Sequence, residues 1–261
     1  NVDKCTEAAA STRGKWKSEA RALRAYYYFE LLRLYGPIPL IGEDPIPLDA
    51  SLEELIKERN SVDECVNFIA TELQSAIDSG DLLQRAGKAN LGRMDVATCM
   101  ALKAKLYLYW ASPLFNGNTD FFNVKDCYGN QLVSQTYDET KWAKAAAAAK
   151  DVIELAKASG LYELYVVAPK ATVLPSQRPP HNALYSDKNY PEGWADVDPL
   201  LSYKSNFDGT ILGSKNPELI FTRTRIGTGH INDWAYQSTP KTLKGNNRLA
   251  VTQKQVDAYA M

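Results

Sequence analysis

The side chains able to do acid–base or metal chemistry are few and scattered. The two histidines, His181 and His230, lie far apart in loop-like sequence. Neither belongs to an H-E-x-x-H zinc pattern, and neither a G-x-S-x-G elbow nor a phosphate-binding P-loop occurs. Cys5, Cys65, Cys99 and Cys127 contain no C-x-x-C pair, so no zinc or redox spacing arises. Cys65 and Cys99 fall on apolar helix faces and read as small buried hydrophobes; the even count leaves disulfides open. Hydrolysis of a glycosidic bond needs two carboxylates placed across that bond, and nothing in the sequence marks such a pair. Asp196, Asp198 and Asp208 share one loop and carry the hard oxygens calcium prefers. Without a motif spacing they read as solvated carboxylates. The sequence therefore predicts no catalytic residue, no metal and no cofactor.

What the chain does offer is aromatic rings set among amides and carboxylates. Tyr185, Tyr190, Trp194 and Tyr203 lie among Asn and Asp residues, and Gly227 to Gln237 is denser still. A sugar ring has one apolar face and a rim of hydroxyls. Its site wants an aromatic platform flanked by amide, carboxylate or guanidinium partners. Trp234 and Tyr236, with Asn232, Asp233 and His230, supply those types, and Trp194 and Tyr190 add a second group. These seven are the expected ligand-binding residues. The competing expectation is that Trp234 packs its loop onto the helices.

The elements that must position these loops are helical. Trp16, Ala20, Leu23, Tyr27, Leu31 and Leu34 recur at steps of three and four from about Lys15 to Tyr35, predicting one buried face. Gly36-Pro37 ends that helix, and Pro37 to Ile41 must be extended. Ser51-Leu52-Glu53-Glu54 and Ser61-Val62-Asp63-Glu64 have the form of capping boxes. The second starts a helix with Val62, Val66, Ile69, Leu73 and Ile77 buried. A segment from about Gly92 to Ser112 is apolar on two faces, so it packs between neighbours. A further helix, about Asp138 to Ala158, presents Trp142, Ala146, Ala149, Ile153 and Ala156. Beyond about Tyr165 the periodicity is lost: residues 169–217 hold seven prolines, which reads as ordered loops. Leu219 to Arg225 looks like a strand, and Gln253 to Met261 starts another helix.

The expected fold is mainly α. Tetratricopeptide-like helix pairs over residues 1–168 form a scaffold. A loop-rich region over 169–261, carrying short strands, packs on it and holds the ligand site. An irregular helical bundle is the alternative that pattern alone leaves open. The charge balance of 30 basic against 31 acidic residues argues against nucleic acid as a partner. No polybasic patch marks a membrane surface, and no run approaches the ~18 apolar residues of a spanning helix.

Four blocks resemble one family in order. Glu19 to Ile41, twenty-three consecutive residues, resembles the E-A-R-x-L-R-A-x-x-Y-F-x-L-x-x-x-Y-G-x-x-P-L pattern of the SusD/RagB family. Ala101 to Asn116 resembles its A-L-x-A-R-x-x-L-Y-x-A-S-P-x-F-N block. Asn216 to Phe221 resembles its N-P-E-x-I-F strand. Thr252 to Met261 resembles its T-Q-E-x-V-D-x-Y-x-M helix, with Lys254 where Glu is commoner. The resemblance implies a central piece of a longer chain, with a lipid anchor outside it. In the first block Glu19, Arg21, Arg24, Tyr28, Tyr35, Gly36 and Pro39 mark the fold. Arg21 and Arg24 would fix neighbouring loops through charge-assisted hydrogen bonds.

Membership would imply a non-catalytic lipoprotein on the outer face of the outer membrane. It would capture glycans or oligopeptides and deliver them to a SusC-like TonB-dependent transporter. Two other readings stand beside it: a helical-repeat adaptor that binds only protein, and a hydrolase with an unmarked carboxylate pair.

Overall fold

Several helices begin where a side chain satisfies their free N–H groups. Ser61 accepts from the Glu64 backbone at 3.2 Å, and Glu64 accepts from the Ser61 backbone at 2.7 Å. Ser51 and Glu54 repeat the exchange at 3.3 and 2.8 Å. Asp95 does the same work alone, taking the Thr98 N–H at 2.7 Å. The resulting elements are α1 (Ala10–Tyr35), α2 (Leu52–Leu55), α3 (Val62–Asp78), α4 (Val96–Ala111), α5 (Thr140–Ser159) and α6 (Pro199–Ser205). The first ends at Gly36 with φ 70°, where the missing Cβ matters.

The structure is a computed structural model. It describes residues 2–43, 46–87, 90–170, 178–212, 215–222, 241–244 and 246. The chain divides into two units, residues 1–222 and 223–261. In the second, the described residues contain one 3-10 turn, Lys241–Leu243. The helix expected from Gln253 lies outside the described residues. The first unit is mainly helical, and among the described residues no helix is long and apolar enough to cross a membrane.

Its long helices pack in series. α1 lies on α3, α3 on α4 and α4 on α5, with little contact between α1 and α4. Stacked helix pairs make contacts of this kind. The core runs along the seam, with Phe29 and Leu32 of α1, Ile69 and Leu73 of α3 and Leu106 of α4 all at 2% exposure or less. α4 is enclosed on two sides as expected, with Cys99, Leu106, Trp110 and Ala111 buried. Cys65 and Cys99 are buried free thiols.

Two faces differ from the sequence reading. On α1 the buried stripe is Ser18, Ala22, Ala25, Phe29 and Leu32, while Trp16, Tyr27, Leu31 and Leu34 are 40–73% exposed. Both stripes have helical spacing. The small Ala22 and Ala25 let α3 come close, so the less conspicuous stripe is the one that packs. On α5 the buried residues are Lys141, Ala145 and Ala148, with Trp142 and Ile153 exposed. Lys141 turns inward because its charge is met there. Its Nζ lies 2.9 Å from Asp63 Oδ1 and 4.5 Å from the centre of the Trp110 ring. The strand expected at Leu219 is also corrected. Residues 219–222 are bend and irregular backbone. Phe221 sets its ring edge-on to Tyr26 at 5.8 Å. Residues 223–225 lie outside the described residues.

Candidate functional site

The segment after α5 builds a large concavity. Gly160, with φ 60°, ends the helix. The chain then places Tyr162, Glu163 and Leu164 beside the last turns of α5. A cleft of about 700 Å³ opens there, walled by Ile153, Lys157, Tyr162, Glu163, Leu164, Tyr190 and Glu218. Its apolar lining includes the exposed Ile153 and Leu164, and Tyr190, 42% exposed, supplies an aromatic face. Carboxylates and one ammonium ring it. Concave apolar surface with a few convergent polar groups is the usual form of a ligand site.

The loop carrying Tyr190 is wound on its own backbone. Trp194 N–H donates to the Tyr185 carbonyl at 3.0 Å, and Ala195 N–H to the Lys188 carbonyl at 2.8 Å. The Tyr190 N–H donates to Asp196 at 2.8 Å. Gly193 sits where a Cβ would lie 2.1 Å from the Tyr185 oxygen, so only glycine fits. The loop is tied to the segment after α5 through the Asp198 N–H, which donates to the Val167 carbonyl at 2.7 Å.

Glu218, from the Asn-Pro-Glu motif, ties the far wall. Its Oε1 accepts from the Tyr165 backbone at 2.8 Å and from the Asn206 amide at 3.1 Å. Asn216 in turn accepts from the Glu218 N–H at 2.9 Å. Tyr162 is 8% exposed, and its hydroxyl has no hydrogen-bond partner. Burial, and then the charge of Asp95, push its pKa up to about 12. The hydroxyl is thus a buried proton donor with no acceptor among the described residues, a costly arrangement.

Of the seven expected binding residues, two are described. Tyr190 lines the cleft. Trp194 lines a separate cavity of about 100 Å³ with Arg178 and Asp198, so the structure does not bring the two rings into one cavity. His230, Asn232, Asp233, Trp234 and Tyr236 lie outside the described residues. Sequence reasoning missed Tyr162, Glu163, Lys157 and Glu218, which are not aromatic-rich or clustered in sequence. The available signal was Gly160, which stops α5 and turns the next residues across its end. The three loop carboxylates read as solvated rather than calcium-binding each accept a backbone N–H, Asp196 from Tyr190 as above. Asp208 takes the Thr210 N–H at 2.9 Å. Asp198 is 3% exposed, not solvated, and takes the Leu201 N–H at 2.9 Å to start α6. His181 stands 3.3 Å from Asp187 at the surface.

The motif in α1 forms a set of ties away from the cleft. Arg21 and Arg24 each reach Glu43 at 3.1 Å, and Arg24 Nε donates to the buried Glu72 of α3 at 3.0 Å. Glu19 accepts from Arg93 at 3.2 and 2.5 Å. The Tyr28 hydroxyl donates to the Ile41 carbonyl at 3.1 Å and accepts its N–H at 3.0 Å. Gly36 caps α1, Pro39 continues the extended strap, and Tyr35 is 69% exposed.

No family model matches the chain. A curated SusD-like protein of Bacteroides ovatus is 31% identical over 109 residues, 41% of this chain and 18% of that protein. The chain is similar to SusD-like proteins over the matched stretch. Among solved structures, BT4246 superposes over 92% of this chain and 39% of its own, with a TM-score of 0.67 and 29% identity. A selenomethionine form of BT4246 is 37% identical over 61% of this chain and 26% of its own, with a TM-score of 0.51. The chain thus spans well under half the length of these relatives.

Proposed function

We propose that this SusD-like chain belongs to a protein that captures glycans at the cell surface without cleaving them. It hands them to a SusC-like TonB-dependent transporter, and a lipid anchor elsewhere in the protein holds it at the outer membrane. The observation that carries the reading is a cleft lined by Tyr190 together with Glu163, Glu218 and Lys157. A saccharide stacks one face on the tyrosine and spends its hydroxyls on the charged rim. From their residue types alone, Trp234, Tyr236, Asn232, Asp233 and His230 are further proposed saccharide contacts. Glu218 already serves as a structural acceptor, which favours binding over hydrolysis.

The test is calorimetry of the protein against a panel of glycans and oligopeptides, with product release followed in parallel. The expected result is saccharide binding without cleavage, weakened at least several-fold in Y190A. Cleavage products, or affinity unchanged in Y190A, overturn it. Co-purification with the adjacent SusC-like porin tests delivery.

A protein-binding role is favoured by one observation, the exposed stripe of Tyr27, Leu31 and Leu34 on α1. Failure of every glycan and peptide to bind moves the weight there.

A further inference from the structure

The backbone past the end of α5 brings two carboxylates to one side of the cleft. The Glu163 N–H donates to the Pro217 carbonyl at 3.4 Å, and the Tyr165 N–H donates to Glu218 Oε1 at 2.8 Å. Residues 163–165 and 217–218 therefore run beside each other, and Glu163 and Glu218 line the same cavity of about 700 Å³. Glu218 spends Oε1 on Tyr165 and on the Asn206 amide. Glu163 is exposed, and among the described residues its carboxylate has no hydrogen bond or ion pair. Tyr190 adds its exposed ring to the same lining.

These charges are not cancelled locally. Among the described residues of the lining, Lys157 is the one cation. Its side chain is 70% exposed, and its ammonium stands 3.8 Å from Glu154, a residue outside the lining. The cleft is thus rich in acceptors and negative charge. A carboxylate or sulfate on a ligand meets like charge there, which discriminates against it. A neutral hydroxyl donates to the carboxylates as an ordinary hydrogen bond. An ammonium donates with charge assistance and is drawn to the face of a tyrosine as well.

We infer that the cleft selects a saccharide bearing a free amine, a hexosamine unit whose nitrogen is not acylated. The Glu163 carboxylate and the Tyr190 ring hold the ammonium, and Glu163 sets the selection. The inference rests on the saccharide reading of the cleft and names the class of saccharide.

The test is calorimetry at low, fixed salt with three probes: a glucosamine oligosaccharide, its fully N-acetylated counterpart and a short glycine peptide with a free N-terminus. The pH is held at about 6, where the amine carries its proton. The amine form binds about fivefold tighter than the acetylated form, the span of one exposed ion pair. That ratio falls close to one in E163Q, which keeps the shape and removes the charge. It widens in K157Q, and it shrinks as salt is raised. Y190A weakens both forms. A ratio of one in the native protein, or a ratio that survives E163Q, overturns the selection; if both forms still bind and both weaken in Y190A, the saccharide reading of the cleft stands without it. Binding of neither oligosaccharide, or of the peptide in their place, overturns both.

Discussion

Replacing Asp63 by Asn strands a buried ammonium. Lys141 Nζ is 2.9 Å from Asp63 Oδ1, and the lysine side chain is 3% exposed against 44% for the aspartate. Trp110 Nε1 donates to the same oxygen at 2.5 Å. Asn keeps an oxygen for Trp110 and removes only the charge. Removing one partner of a fully buried pair costs about 3–5 kcal/mol, and an exposed pair is worth about 0–1 kcal/mol. This pair is half wet, so D63N should cost about 2 kcal/mol. The reverse change is not symmetric. K141M keeps the stem volume and the contact with Trp110, and it leaves Asp63 to water and the indole N–H. Its cost should be about 0.5 kcal/mol or less. Urea unfolding at pH 7, followed by circular dichroism, measures both. With a slope of about 3 kcal/mol/M, D63N lowers the midpoint by about 0.7 M while K141M barely moves it. Raising the salt should not rescue D63N, because the ammonium is out of reach of the ionic atmosphere. Equal losses for the two variants, or a D63N loss under about 0.5 kcal/mol, would refute the reasoning.

Other expectations follow from single contacts. Y28F removes both hydrogen bonds to Ile41 but keeps the edge contact with Phe68 at 5.1 Å. It should cost about 1 kcal/mol in a thermal melt. G193A forces the 182–197 loop apart, so ligand affinity of the cleft should fall while helical circular dichroism stays as it is. Cys127 is exposed, and its hydrogen bond to Glu58 raises its pKa. E58Q should therefore speed its alkylation at pH 8, with Cys65 and Cys99 reacting only after unfolding. The Ser61 backbone and hydroxyl hold the Glu64 carboxyl below its ordinary 4.5. A depressed folded-state pKa stabilises above 4.5 and loses that stabilisation as pH falls below it. S61A should flatten the acid limb of a stability–pH curve, and an unchanged limb would exclude the capping box as its source.

The parts of this structure legible in the sequence are those where one signal acts alone. α3 has a single apolar stripe and a capping box, so its start and its buried Val66, Ile69 and Leu73 follow directly. α1 has two stripes, and propensity does not say which one a neighbour will cover. That is settled by how closely α3 can approach Ala22 and Ala25, a tertiary fact. Lys141 defeats periodicity for a different reason. A lysine counts as polar until Asp63 and Trp110, 78 and 31 residues away, meet it in space. The cleft was half legible. Tyr190 carries a chemical signature, but Tyr162, Glu163 and Lys157 become a site only because α5 stops at Gly160 and the chain doubles back. Glu218 was visible as part of a motif, and its hydrogen bonds to Tyr165 and Asn206 were not.

The serial packing of the long helices has a consequence for cooperativity. α5 lies along α4 and reaches α3 through Lys141. Its loss would bare one face of α4 and leave the contact between α1 and α3 intact. Such an arrangement opens from its outer end, in units, before it opens as a whole. The segment that forms the cleft is attached to that outer end. The wall that meets the ligand is therefore the part of the unit with the lowest cost of local opening, and an occupant of the cleft would tighten the stack by bridging α5 to the loop around Tyr190.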